Sequence, residues 1–192
     1  MAKARPITGL DAQAPAASNA RLIVKARLED LLRWEVYVDH PYNIRELHDL
    51  RIAAKRLRYS FEVFEEMLPG SCGAFVTEIT RLQDELGDLH DSDVLIAMLR
   101  LSLAAQDSDA VSPTGQAGQS KQHSGKTLVS SELAAHILQP DTAPTVEQRY
   151  GLELLLQRQE QLRDAQYTAF RQHWYQLKAR DFRREIITIL DK

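Results

Sequence analysis

An all-α protein is what this 192-residue chain predicts. Three observations carry that prediction. Apolar residues recur at helical spacing through most of the chain, and no run alternates with the two-residue period of a strand. Strong breakers fall at His40-Pro41, at Pro69-Gly70 and at Pro144. The segments between them read as about four long helices packed in a bundle. A 44% apolar content over 192 residues supports one domain with a real core.

Residues 1–18 are rich in Ala, Pro, Gln and Asp without periodicity and read as a disordered tail, leaving 19–192 as the helical domain. Ser18 or Asn19 is the expected cap of a first helix running to about Val38, with Leu22, Leu28, Leu31, Leu32 and Val36 as its apolar stripe. A second helix is expected from Tyr42 or Asn43 to Leu68, ended by Pro69-Gly70. A third covers roughly Ala74 to Ala105. Gly87 in its middle costs about 1 kcal/mol relative to Ala, which points to close packing or to a ligand approaching the backbone.

Residues 106–144 turn to Gln, Ser, Gly, Asp and Pro, and read as a flexible loop with a short helix over Ser131–Leu138. A loop of that length inside a compact domain marks an insertion or a regulatory segment. Thr145-Val-Glu-Gln148 is a capping box that opens a final helix carrying Leu152, Leu155, Leu156, Leu162, Ala169, Phe170, Trp174 and Leu177. Unbroken to Leu190, that helix would span about 65 Å at ~1.5 Å per residue. A bend or restart near Arg180-Asp181 is therefore expected.

The second helix holds the chemistry. Leu47, Leu50, Ala53, Ala54, Leu57, Phe61, Phe64 and Leu68 fall on one side of it, while Arg45, His48, Arg51, Lys55, Arg56 and Arg58 fall on the other. His48, Arg51, Lys55 and Arg58 stack in one column. Like charges in a column cost helix stability, and Glu46, Asp49 and Glu62 are too few to neutralise them. Arginine predominates, and its planar fork suits bidentate contacts with phosphate. Net charge is −3, so any anion binding is local rather than the work of a polycation. The single Cys72 fits a reducing cytoplasm, and neither a secretory signal nor a membrane span is visible.

His48-x-x-Arg51-Ile52-x-x-Lys55-Arg56-Leu57-Arg58-Tyr59, followed by Phe61 and Phe64, resembles the signature helix of the CHAD family of histidine-containing α-helical domains. Leu82-Gln83-Asp84-Glu85-Leu86-Gly87-Asp88-Leu89-His90-Asp91-Ser92-Asp93-Val94 resembles that family's second block. Arg171, Trp174 and Phe182-Arg183-Arg184 are more loosely similar to its closing helix. The resemblance covers roughly residues 20–105 and 145–190. It implies a helical bundle that binds inorganic polyphosphate on a basic surface. A full-length member carries two half-bundles around a central pore, whereas this sequence has one, and a homodimer would restore the pseudo-twofold arrangement.

The expected site is therefore His48, Arg51, Lys55 and Arg58, flanked by Arg45 and Arg56, with Asp91 and Asp93 orienting the arginines. His48 beside Arg51 and Lys55 should have a lowered proton affinity that a bound polyanion would reverse. No catalytic residue, resident metal or cofactor is expected, nor any sequence-specific reading of nucleic acid. The setting is cytoplasmic, with polyphosphate granules as one location. The blander reading is a solvated basic face paired with acids on neighbouring helices, and the C-terminal Arg171, Lys178, Arg180, Arg183 and Arg184, with Lys25 and Arg27, are read that way first.

Three rivals are weighed. Ser120-Lys-Gln-His-Ser-Gly125-Lys126-Thr127 approaches a P-loop but lacks the first glycine and a preceding strand. The dipeptides His48-Asp49 and His90-Asp91 are similar to those of metal-dependent HD phosphohydrolases, though the flanking cations repel a dication. A scaffold that docks an acidic protein on the basic face is the third.

Overall fold

The computed structural model describes residues 4–109, 128–139 and 145–192. Those residues form six α-helices and no strand: α1 (Ala16–Leu32), α2 (Ile44–Val63), α3 (Gly73–Asp109), α4 (Ser131–Ile137), α5 (Val146–Ala179) and α6 (Phe182–Leu190). The all-α expectation is met, while the count of about four is corrected by two short helices, α4 and α6. The chain divides into two units, residues 1–90 with 166–192, and residues 91–165.

In the first unit, Val24, Leu28 and Leu31 of α1, Leu50, Ala54, Leu57 and Phe61 of α2, Ile79, Leu82, Leu86 and Leu89 of α3, Phe170 and Trp174 of α5 and Ile186 and Leu190 of α6 form one core. Burying side chains of this size, at roughly 1.5–3 kcal/mol each, is what holds the helices together. The core face of α1 differs from the expected stripe. Ala20 and Val24 are fully buried, whereas Leu22 and Val36 are exposed. Nor is α1 capped by Ser18 or Asn19. It starts behind Pro15, and the Asn19 amide instead clasps the backbone of Asp11 in both directions, at 3.1 and 2.7 Å.

α1 also stops six residues early. After Leu32 the chain tightens into a 3-10 turn at Glu35–Tyr37, and α5 holds this stretch with one polar column. Tyr167 donates to the Val38 carbonyl at 2.7 Å, Arg171 and Tyr175 both reach Asp39 at 2.6 Å, and Lys178 pairs with Glu35. α2 likewise ends at Val63 rather than Leu68, because Leu68 precedes Pro69 and is driven into extended backbone (φ −106°, ψ 155°).

The break expected near Arg180-Asp181 is present. Asp181 adopts the left-handed conformation (φ 55°) and its carboxylate accepts from the Arg184 amide at 3.3 Å, which caps α6. The Thr145–Gln148 capping box forms too. The Thr145 amide donates to Gln148 Oε1 at 2.9 Å, and the Gln148 amide to Thr145 Oγ1 at 3.4 Å. α4 confirms the short helix, with Ser130 as its cap, and α3 runs to Asp109, past the expected loop start. The P-loop-like stretch at 120–127 lies outside the described residues. No described helix is long and apolar enough to cross a membrane.

Candidate anion-binding site

α2 turns its apolar side inward so completely that its cations have one place to go. Leu47, Leu50, Ala53, Ala54, Leu57 and Phe61 are buried, and His48, Arg51, Lys55 and Arg58 emerge half-buried on the other side. Arg45 is exposed and Arg56 half-buried, roughly a third of a turn round the helix from Arg51.

α3 lies against this column in antiparallel register. The His48 and His90 rings stack with centroids 4.4 Å apart, and the Arg51 guanidinium crosses Gly87, where a β-carbon would stand 3.5 Å from Arg51 Nε. The same register sets Lys55 level with Gln83. Gln83, Gly87 and His90 are spaced i, i+4 and i+7, so α3 supplies a second polar column. Beyond them, Tyr59 stands 44% exposed, with the Arg58 guanidinium 5.0 Å and the Lys55 ammonium 5.5 Å from its ring centroid. A cation over an aromatic face gains ~0.5–1 kcal/mol at such exposure. Tyr59 therefore braces two of the candidate cations.

The ion pairing of this face differs from that of the other basic residues. Among the described residues, Arg45, Arg51, Lys55 and Arg56 have no acidic partner, and Arg58 has Glu62 at 3.6 Å. Elsewhere most cations are matched, although Arg21, Arg158 and Arg184 have no ion pair among the described residues. Arg171 pairs with Asp39, Lys178 with Glu35, Arg180 with Glu78 and Glu185, Arg183 with Glu29, Lys25 with Asp191, and Arg27 with Asp30. That pairing fits the bland reading for Arg171, Lys178, Arg180 and Arg183 and for Lys25 and Arg27, whereas Arg184 and most of the α2 cations have no ion pair among the described residues.

Several polar atoms of the face are also shut from solvent without a hydrogen-bond partner among the described residues: His48 Nδ1, Arg51 Nε, Arg58 Nε, Gln83 Oε1 and His90 Nδ1. Each costs the protein on the order of 1–3 kcal/mol of desolvation. Burial comes first in holding His48 below the ordinary imidazole range, followed by His90 and Arg51, with Asp49 opposing them.

The two expected orienting acids sit apart in character. Asp91 is exposed and makes no ion pair among the described residues. Asp93 is buried, and its partner in the second unit is Arg163 of α5 at 2.8 Å, with both side chains under 7% exposed. His48 and His90 of the two His-Asp dipeptides meet, but among the described residues no group of three or more His, Cys, Asp or Glu stands close enough to hold a metal. An apolar cavity of 210 Å³ beside the α5–α6 break is lined by Leu31, Leu82, Trp174, Leu177 and Phe182 among others, and by nothing from α2. The candidate site is a charged helix face rather than that pocket.

His90, Gln83 and Tyr59 were not among the residues expected from sequence. The signals were present as spacing: Lys55 to Tyr59 is i, i+4, and Gly87 to His90 is i, i+3.

These features define an all-helical protein with one unneutralised cationic helix face. The family model of the CHAD domain matches residues 2–100, just over half of the chain and inclusive of both α2 and the Gly87–His90 block. The chain belongs to the CHAD family. The looser likeness at Arg171, Trp174 and Phe182–Arg184 lies beyond the matched residues. No match was found among curated proteins or solved structures.

Proposed function

We propose that this protein binds inorganic polyphosphate along α2 and does not turn it over. The observation that carries the reading is the contrast in pairing. Arg45, Arg51, Lys55 and Arg56 lack acidic partners on a protein whose other cations are largely matched, and whose net charge is −3. Arg51 and Lys55, half-buried in one column with Arg58, would attract a ligand of repeating negative charge. Arg51, Lys55 and Arg58 would contact successive non-bridging oxygens, at ~5 Å of rise per turn, and His48 would donate a hydrogen bond. Arg45 and Arg56 would flank the chain. Recognition along a row of cations would depend on charge density and chain length.

A homodimer belongs to the same proposal. Val146, Tyr150 and Leu154 on one side of α5, and Leu155 and Leu162 on another, are exposed, apolar area that a second copy would cover while adding a second basic helix. The setting is proposed to be cytoplasmic, with polyphosphate granules as a site of action.

Titration with long-chain polyphosphate at two salt concentrations tests this, with single-stranded DNA as competitor. Binding that weakens by about tenfold or more between 50 and 200 mM salt is expected from release of condensed counterions. Arg51→Ala with Arg58→Ala should abolish most of the affinity while helix content stays unchanged. Absence of binding at low salt would sink the proposal.

A further inference from the structure

The α2–α3 contact brings together two imidazoles as well as cations. His48 and His90 lie ring against ring, tilted by 38°, one helical turn from the point where Arg51 crosses Gly87. In both rings Nδ1 is sealed from solvent without a partner among the described residues, which leaves Nε2 as the nitrogen that can meet a ligand. Among the described residues, the charged groups acting on His48 are His90 from α3 and Asp49 and Arg51 from its own helix.

We propose that His90 is a second imidazole of the anion site, and that the pair makes anion binding proton-linked: a phosphate chain seated beside the two rings draws a proton onto them. The proposal rests on the polyphosphate reading of α2 and adds to it a residue of α3 and a proton in the complex. His48, buried beside the His90 ring and the Arg51 guanidinium, resists a positive charge. A row of phosphates supplies the missing counter-charge and accepts an N–H from each Nε2, bonds that are stronger when the donor is charged.

The direction follows from the groups involved. Free His48 has its pKa lowered by burial, by His90 and by Arg51. Bound anion raises it, so binding takes up a proton between the two values. Affinity falls as pH rises through that window and is flat on either side. Internal groups of a long polyphosphate keep one negative charge each throughout, so the proton goes to the protein.

Affinity of the full chain for long-chain inorganic polyphosphate is measured from about pH 5 to 8, around the ordinary imidazole range, at constant salt. Calorimetry in buffers of different ionisation enthalpy counts the protons taken up. The wild-type protein should lose up to about tenfold in affinity per pH unit for each linked proton, with heats that depend on the buffer. His48→Asn with His90→Asn, folded by helix content, should bind with a flat profile and buffer-independent heats. His90→Asn alone should change both the affinity and the slope, and an unchanged profile removes His90 from the site. Tight wild-type binding that ignores pH and buffer overturns the proton linkage and leaves the polyphosphate reading standing. No binding at low salt at any pH overturns both. The buffer series needs no variant, so a misfolded substitution does not spare the proposal.

Discussion

Gly87 lies mid-helix in α3, where glycine costs about 1 kcal/mol relative to alanine. The Arg51 guanidinium passes over it. A β-carbon would meet Arg51 Nε at 3.5 Å and its terminal nitrogen at 3.9 Å, which is ordinary contact. Gly87→Ala is therefore expected to stabilise the protein by about 0.5–1 kcal/mol, read from a denaturant midpoint, with polyphosphate affinity within twofold of the parent. A longer side chain has no such room. Gly87→Leu should push the guanidinium off α3 and weaken binding several-fold in a protein that still folds. Equal affinity of the Leu variant would show that Arg51 works from another position. The sequence singled out Gly87 and Arg51 separately, as a mid-helix glycine and a member of a column. Their meeting depends on the α2–α3 register, which no local spacing reveals. For the same reason His48 was legible and His90, its neighbour in space, was not.

Between residues and the whole, the elements show what local rules decide. Pro69 keeping Leu68 in extended backbone, the Thr145–Gln148 box opening α5 and the restart after Ala179 are each written in a few adjacent residues, and each is present. The early end of α1 is not written locally. It depends on Tyr167, Arg171, Tyr175 and Lys178, more than a hundred residues away, holding Glu35, Val38 and Asp39. Asp181 is the hinge residue most open to test. Its left-handed backbone is strained for any side chain except glycine, while its carboxylate caps α6. Asp181→Asn keeps the cap and tolerates the conformation, so stability should be unchanged within ~0.3 kcal/mol. Asp181→Gly trades the cap for relief of strain and should stay within about 0.5 kcal/mol. Asp181→Ala loses the cap and keeps the strain, and should cost about 1–2 kcal/mol. Thermal or urea unfolding of the three variants should give that order. A stable Ala variant would mean that α6 is held by Phe182 and Ile186 in the core rather than by its cap.

At the scale of the whole molecule two surfaces of the described residues stand out, and they differ in kind. The α2 face is charged and calls for an anion. The α5 surface is apolar, and its first half departs most from the sequence expectation. Leu155 and Leu162, two of the apolar residues the final helix carries, are 44% and 48% exposed, and Val146 and Tyr150 are exposed at 86% and 67%. The helical stripe was legible; what it packs against was not, because periodicity records that a face is apolar and not which chain covers it. Val146, Tyr150 and Leu154 repeat at i, i+4 and i+8, and Leu155 and Leu162 at i, i+7, the spacings with which helices pack on one another. Replacement of Tyr150, Leu155 and Leu162 by Ser should leave helix content intact, because none of them lies in the core of either described unit. If a second copy covers this face, the wild-type mass in solution is that of a dimer and falls with dilution, while the triple variant is monomeric. The same variant should also bind long polyphosphate more weakly than the parent and short chains equally well, since a short chain fits one α2 and a long chain spans two. A wild-type protein that is monomeric at every concentration would confine recognition to a single basic helix.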